Sequence, residues 1–135
     1  CLVALGDQIA GLMGNDDDLV GEIRDAAGRS GEKVWHLPLP PEYRKQLDSQ
    51  IADLKNIGSR FGGTLTAGLY LQEFVGEGVQ WAHLDIAGPA FLDAADAEIP
   101  KGGTGFGVRA LIEWLEGRAR AAATAEDADD DATDA

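Results

Sequence analysis

Short apolar runs alternate with amphipathic helical patterns along the chain, and this alternation is what most constrains the fold. Strand-like runs cover residues 2–5, 9–13 and 79–87. Helical patterns cover residues 16–27, 42–49, 64–75 and 108–120. Strands that alternate with helices predict an α/β layer structure. In it, we expect 79–87 to be a central strand and the apolar helix at 64–75 to be buried on most sides.

The composition excludes several classes of protein. The 135 residues are 44% hydrophobic and 26% charged, which indicates a globular chain that forms one domain or part of one. A net charge of −13 argues against a nucleic-acid surface, and no apolar run approaches the roughly 18 residues of a membrane span. The single cysteine rules out an internal disulfide and favours a reducing, cytoplasmic location. We therefore expect neither nucleic-acid nor membrane partners.

The two ends of the chain differ from its middle. The chain opens without Met on the apolar run at 2–5, which has the pattern of a buried strand already under way, so we expect a truncated N-terminus. Residues 121–135 contain only Ala, Thr, Asp and Glu. Because such a segment has nothing to pack, we expect a domain over 1–120 and a disordered acidic tail over 121–135.

Two groups of polar side chains look like metal sites but have simpler explanations. Asp16, Asp17 and Asp18 point in different directions at a helix start, where compensation of the helix dipole explains them. His83 and Asp85 share one face of a strand, yet a metal ion needs further ligands. For these two we expect a buried, hydrogen-bonded pair that supports the strand.

Two loops leave alternatives open. The stretch KGGTGFG at 101–107 leads into a helix as a phosphate-binding loop does, but it lacks the Gly-Lys-Ser/Thr ending of the Walker pattern. Tight turns and close helix packing are the other explanation of its glycines. If 102–107 binds a nucleotide, the chain is a stand-alone acidic α/β binding module. The segment 53–58 is either a substrate loop or a turn ahead of the next helix.

Several motifs, in this order, resemble those of the leucyl aminopeptidase (cytosol aminopeptidase) family. The two most specific are WAHLDIAG at 81–88 and KGGTGFGVR at 101–109. The others are VALG at 3–6 with the segment 11–16, WHLPL at 35–39 with Glu42 and Tyr43, IADL at 51–54 with Asn56 and Gly58, and Gly62 and Gly63 leading to Phe74 and Val75. The match covers about residues 1–116 and indicates the C-terminal part of the catalytic domain.

The resemblance implies a fold and an activity. Family members release N-terminal residues from peptides with two divalent metal ions, Mn or Zn, which polarise the scissile carbonyl and activate water. They are homo-hexamers, and their fold is a mixed central sheet between helices (three-layer α/β/α, phosphorylase/hydrolase-like). The family motif Asn-Thr-Asp-Ala-Glu-Gly-Arg and the upstream ligand segment are absent from this sequence. We therefore expect no catalytic and no metal-binding residue in this chain, which alone should be inactive.

By motif position, four residues resemble those that line the family's S1 pocket, which receives the first side chain of the substrate: Leu2, Ala87, Gly88 and Ala90. Small residues at 87 and 90 leave room for a Leu- or Met-sized group. Gly88 is expected to keep the end of the strand open. The alternative for all four is ordinary packing at the end of a strand.

Overall fold

The fold is that of a computed structural model, which describes the backbone of residues 1–133 and the side chains of residues 1–125. The helices in this range are α1 (Leu2–Leu5), α2 (Asp17–Ser30), α3 (Gly63–Gln72) and α4 (Val108–Thr133), with a 3-10 helix at Pro41–Leu47. The strands are β1 (Ala10–Gly14), β2 (Val34–His36), β3 (Ala82–Asp85), β4 (Phe91–Leu92) and β5 (Gly102–Gly103). This succession of strands and helices confirms the predicted α/β class.

The main sheet is mixed, with the strand order β2-β1-β3. β1 pairs in parallel with β2 and antiparallel with β3. Leu12 and Met13 of β1 are fully buried, whereas β3 is only half-buried and carries the polar residues His83 and Asp85. The central strand is therefore β1. The prediction that 79–87 forms a central strand is wrong, because within the described residues β3 is shorter and pairs with β1 alone.

The first apolar run forms a helical turn rather than the predicted strand. In α1 the amide of Leu5 donates to the carbonyl of Cys1, and the amide of Gly6 donates to the carbonyl of Leu2, each at 2.9 Å. Gly6 ends the turn with a φ of 76°, a conformation that favours glycine. Leu2 is 50% exposed and Val3 is fully exposed, so the run is not buried. Four apolar residues are too few for their spacing to separate a helix from a strand.

Helices cover both faces of the main sheet. On one face, Leu12 packs in a buried cluster with three aliphatic residues of α2: Leu19, Val20 and Ile23. On the other face, Gly68 of α3 lies so close to Met13 that a Cβ there would be 3.0 Å from the sulfur. Because consecutive strand residues point to opposite faces, Leu12 and Met13 place α2 and α3 on opposite sides. This is the helix–sheet–helix layering expected from the resemblance.

α3 is less buried than its apolar sequence predicts. Its buried residues are Thr66, Gly68 and Leu69. Leu71 is 40% exposed, and Phe74, just beyond the helix, is 69% exposed. The prediction that this helix is buried on most sides is therefore wrong for the part of the chain that the structure describes.

α4 packs beside α2 through polar and aromatic contacts. Arg29 of α2 donates to Glu113 at 2.8 Å, and the indole of Trp114 donates to Glu22 at 2.8 Å. Ala110 is buried on the same side of α4. These contacts fix the direction of α4 relative to α2, with the start of α4 near the end of α2.

The length of α4 differs from the prediction. The sequence places the end of this helix near Arg120 and expects disorder over 121–135, whereas α4 continues to Thr133. Alanine is the best helix former, and three alanines follow Arg120 directly. The boundary between a domain at 1–120 and a separate tail stays a prediction, and residues 134–135 lie outside the described range. Among the described helices, none combines the length and the hydropathy that a membrane crossing requires.

The start of α2 confirms the interpretation of its aspartates and gives a pH prediction. Asp16 is the N-cap: one carboxylate oxygen accepts the amide of Leu19 and the other accepts the amide of the Gln80 side chain, each at 2.8 Å. The hydrogen bond from Gln80, followed by that from Leu19, lowers the pKa of Asp16. A lowered pKa in the folded state means that the stabilisation is present above the unfolded-state pKa and is lost as the pH falls through the folded-state pKa.

We expect Asp16→Asn to melt below the wild type at neutral pH, with the gap closing as the pH falls below about 4. Asparagine keeps the capping oxygen but not the charge. Thermal melts followed by circular dichroism across this pH range measure the gap. Asp17→Asn, which removes a neighbouring charge from the first turn of α2, controls for the helix dipole. A gap for Asp16→Asn that stays constant down to the lowest pH would contradict the prediction.

Candidate functional site

The turn at 86–90 follows β3 and carries three of the four residues predicted for the substrate pocket. Asp85 at the end of β3 accepts the amide of Ala87 at 3.1 Å, and the amide of Ala90 donates to the carbonyl of Ile86 at 3.0 Å. Ala87 is exposed and Ala90 is half-buried. The turn is thus closed by its own hydrogen bonds and presents two small apolar side chains.

Gly88 lies against the end of α1. A Cβ on Gly88 would overlap the carbonyl oxygen of Gly6 and would lie 3.2 Å from the Cα of Asp7. Gly88 is also buried. In this structure the glycine allows the backbone of another segment to approach closely, and the expectation that Gly88 keeps the strand end open stays a prediction.

Leu2, the fourth predicted pocket residue, lies on α1 beside the same strand end. The backbone nitrogen of Cys1 hydrogen-bonds to the Thr64 hydroxyl and lies 3.7 Å from the Asp85 carboxylate. Together with the contact at Gly88, this places the helix that carries Leu2 next to the turn that carries Ala87. A cavity of about 580 Å³ opens here between α1, residues 60–65 and Asp85, but none of the four predicted residues lines it. Their role in a pocket stays a prediction.

Thr104 forms hydrogen bonds to the C-terminal end of the turn, at Pro89 and Ala90. Its hydroxyl donates to the carbonyl of Pro89 at 2.6 Å and accepts the amide of Phe106 at 3.1 Å. Its amide donates to the carbonyl of Ala90 at 3.0 Å. Just before Thr104, β5 pairs with β4, so Gly103 lies opposite Phe91. The glycine-rich stretch is therefore joined to the turn by a short ladder and by one threonine.

The carboxylate of Glu32 already binds the backbone amides at the start of α4. Glu32 accepts the amide of Gly107 at 3.0 Å and the amide of Ala110 at 2.9 Å, and its side chain is only 2% exposed. Arg109 lies 3.8 Å from the same carboxylate. A phosphate bound at a helix N-terminus would need these amides. The alternative that 102–107 binds a nucleotide is therefore wrong for this site, and the glycines serve turns and close packing.

His83 and Asp85 face the same side, as their spacing predicts, and line a cavity of about 420 Å³ together with Asn56, Ile57 and Gly58. His83 stacks on Trp81 with a centroid distance of 6.2 Å. Burial lowers the pKa of His83, and the nearby Asp85 opposes this shift. The two side chains are half-buried and no hydrogen bond between them is formed in the described structure, so the predicted hydrogen-bonded pair is wrong. Both explanations of the segment 53–58, a substrate loop or a turn ahead of α3, stay predictions.

The described residues do not fit a metal centre. Among them, no three His, Cys, Asp or Glu side chains lie close enough together to hold a metal ion. Asp16, Asp17 and Asp18 serve as the cap and first turn of α2.

Sequence reasoning missed two residues that organise this region. Glu32 follows the glycine that ends α2 and has the sequence context of an ordinary surface acid. It nevertheless binds the amides of Gly107 and Ala110, which lie 75 and 78 positions later in the chain. Thr104 lies between two glycines of the glycine-rich stretch. Threonine hydroxyls readily bond to nearby backbone groups, and this tendency is the signal that could have identified it.

Comparison with known proteins gives one consistent result. The model of the cytosol aminopeptidase family, catalytic domain, matches residues 1–112. A probable cytosol aminopeptidase of Aquifex aeolicus is 50% identical over 116 residues, which are 85% of this chain and 24% of that protein. One of Synechococcus is 50% identical over 124 residues, which are 92% of this chain and 24% of that protein.

Solved structures agree with these relatives. The bottromycin maturation enzyme BotP in complex with Mn matches with a TM-score of 0.82 and 47% identity, over 86% of this chain and 26% of that one. A mutant tomato leucine aminopeptidase matches with a TM-score of 0.78 and 44% identity, over 84% and 22%. The chain spans about a quarter of the length of the curated relatives it matches. It belongs to the cytosol aminopeptidase family and corresponds to part of that family's catalytic domain.

Proposed function

We propose that this chain is the C-terminal part of a dinuclear-metal leucyl aminopeptidase, a hydrolase that releases N-terminal amino acids from peptides. The observation that carries the proposal is the match of residues 1–112 to the family's catalytic domain. The chain is also 50% identical in sequence to two of the relatives over the aligned residues. The parent enzyme is proposed to be a cytoplasmic homo-hexamer. Its two divalent metal ions, Mn or Zn, are held by residues outside this chain.

The role proposed for this chain is to supply scaffold and one wall of the S1 pocket. Leu2, Ala87, Gly88 and Ala90 lie on two segments that touch at Gly88, which supports a shared surface. Two small apolar side chains at 87 and 90 suit a concave site for an aliphatic group. The metal ions, when bound elsewhere in the parent, supply Lewis-acid activation of the carbonyl and of water.

A chimera tests this proposal. In it, the 135-residue chain replaces the matching quarter of the Aquifex aeolicus relative. We expect the chimera to bind Mn, to assemble like the parent in light scattering, and to hydrolyse leucine-p-nitroanilide within about tenfold of the parent's kcat/KM, a change of about 1.4 kcal/mol in the barrier. The isolated chain with Mn or Zn should show no turnover.

Two outcomes would overturn the proposal. One is robust hydrolysis by the isolated chain, because the ligands would then lie within it. The other is a folded, Mn-loaded chimera without activity, because this chain would then not supply a competent part of the site. A parent enzyme carrying a scrambled version of the same quarter controls for activity that needs no contribution from this region.

A further inference from the structure

We infer that Thr104 is a positioning residue that fixes the pocket wall at Ala90 and thereby sets the selectivity for the first side chain of the substrate. This inference rests on the proposed function, because it takes Ala87 and Ala90 as part of the S1 wall. Thr104 acts through the backbone, because it hydrogen-bonds to the carbonyls of Pro89 and Ala90.

The first support is the density of hydrogen bonds at one side chain. The Thr104 hydroxyl donates to Pro89 at 2.6 Å and accepts from Phe106 at 3.1 Å, so it uses both its donor and an acceptor position. The Thr104 amide holds the next carbonyl, that of Ala90, at 3.0 Å. Two successive carbonyls of the turn are thus bound by one residue.

The second support is that both backbone groups of Ala90 are committed. Its amide donates to Ile86 and its carbonyl accepts from Thr104, each at 3.0 Å. Ala90 can move relative to Ile86 and Thr104 only if one of these bonds is lost. The position of its methyl group is therefore coupled to the position of Thr104.

The third support is that Thr104 is itself attached to a buried, hydrogen-bonded part of the fold. Two residues after Phe106, α4 begins, and the amides of Gly107 and Ala110 are bound by the buried carboxylate of Glu32. Glu32 follows the end of α2, and the amide of Ala10 in the central strand donates to the next residue, Lys33, at 3.0 Å. Through Thr104 and Glu32, the backbone at Ala90 is in this way connected to the central strand.

A change at Thr104 should therefore alter the preference for the first side chain of the substrate rather than the hydrolysis step itself. A hydrophobic pocket separates substrates that differ by one or a few methylenes through small differences in fit. If the carbonyl of Pro89 loses its donor, the turn can relax and the position of the pocket wall at Ala90 becomes less well defined. Leucine, which fills the pocket, should then lose more than alanine, which does not.

The experiment uses the Aquifex aeolicus chimera with Thr104→Val, which removes the hydroxyl at nearly constant shape. We expect the ratio of kcat/KM for leucine-p-nitroanilide over alanine-p-nitroanilide to fall about fivefold. The hydroxyl makes two hydrogen bonds, and this factor corresponds to the loss of the one that it donates to the turn, at Pro89. The loss should appear in KM for the leucine substrate more than in kcat. Thr104→Ser, which keeps the hydroxyl, should restore the ratio.

Thr124→Val is the matched control. Thr124 also donates its hydroxyl to a backbone carbonyl, that of Arg120, at 2.9 Å, but it does so on the exposed side of α4. Its removal should leave the ratio unchanged. An unchanged ratio in Thr104→Val, or an equal fall in Thr104→Ser, would overturn the inference while the proposed function stands. An inactive parent chimera would overturn the proposed function and the inference with it.

Discussion

Replacing Glu32 with alanine is expected to lower the free energy of unfolding by about 3 kcal/mol, a large share of the stability of a small domain. The Glu32 side chain is 2% exposed, and its two oxygens accept the amides of Gly107 and Ala110. Alanine removes both acceptors and leaves buried donors without a partner, which costs more than the loss of an exposed hydrogen bond. Urea denaturation followed by circular dichroism measures the change.

Two further variants make this expectation specific. Glu32→Gln keeps one carbonyl oxygen as an acceptor, so it should lose about half as much. Glu22→Ala is the matched control, because Glu22 also joins α2 to α4, through a 2.8 Å bond from Trp114. Its side chain is 46% exposed, so the loss should stay below about 1 kcal/mol.

Hydrogen exchange localises the effect. In Glu32→Ala the amides of Gly107 and Ala110 should exchange faster than in the wild type, because each loses its acceptor. Amides in the middle of α2 should keep their relative protection. Equal losses of stability for Glu32→Ala and Glu22→Ala, or unchanged exchange at the two amides, would show that Glu32 is not the anchor of α4.

Local features of the sequence predicted the local structure. The acids before the apolar stripe of α2 indicated its start, and Asp16 is indeed its cap. The helical pattern at 42–49 corresponds to the 3-10 helix at Pro41–Leu47. The alternation at His83 and Asp85 placed both on one side of β3. Each of these signals lies within a few residues of the feature that it predicts.

Features that depend on distant contacts were not predictable. β1 is central because β3, some 70 positions later in the chain, returns to pair with it, and no periodicity reports such a pairing. The helical turn at the start of the chain is too short to carry a pattern. The role of Glu32 at the start of α4 was not predictable, because its carboxylate binds an amide of a helix that lies far away in the sequence. The predicted pocket residues are brought near one another by one such contact, between Gly88 and Gly6.

The second large effect is expected for Gly88→Ala. The added methyl would overlap the carbonyl oxygen of Gly6 and approach the Cα of Asp7 at 3.2 Å. Both obstacles belong to the backbone, so they cannot rotate aside as a side chain can. The φ of Gly88 lies outside the left-handed region, so alanine is conformationally acceptable and the cost is steric. We expect a loss of about 2 kcal/mol in the free energy of unfolding.

The matched control is Gly21→Ala in α2, where nothing lies within 4 Å of an added Cβ. There the substitution should stabilise the chain by about 0.5 kcal/mol, because alanine favours the helix and glycine does not. The same chemical change should therefore have opposite signs at the two positions. Urea denaturation of both variants beside the wild type measures this contrast without any need for catalytic activity.

In the Aquifex aeolicus chimera, Gly88→Ala should also reduce kcat/KM for leucine-p-nitroanilide by at least about tenfold, because a displaced turn carries Ala87 and Ala90 with it and misplaces the bound substrate. Gly21→Ala should leave kcat/KM unchanged. If Gly88→Ala lost stability but kept its kcat/KM, the contact would serve the fold alone, and the placement of Leu2 beside Ala87 as a pocket wall would be refuted. If Gly88→Ala kept both its stability and its kcat/KM, the close approach of α1 to the turn would not exist in the assembled enzyme.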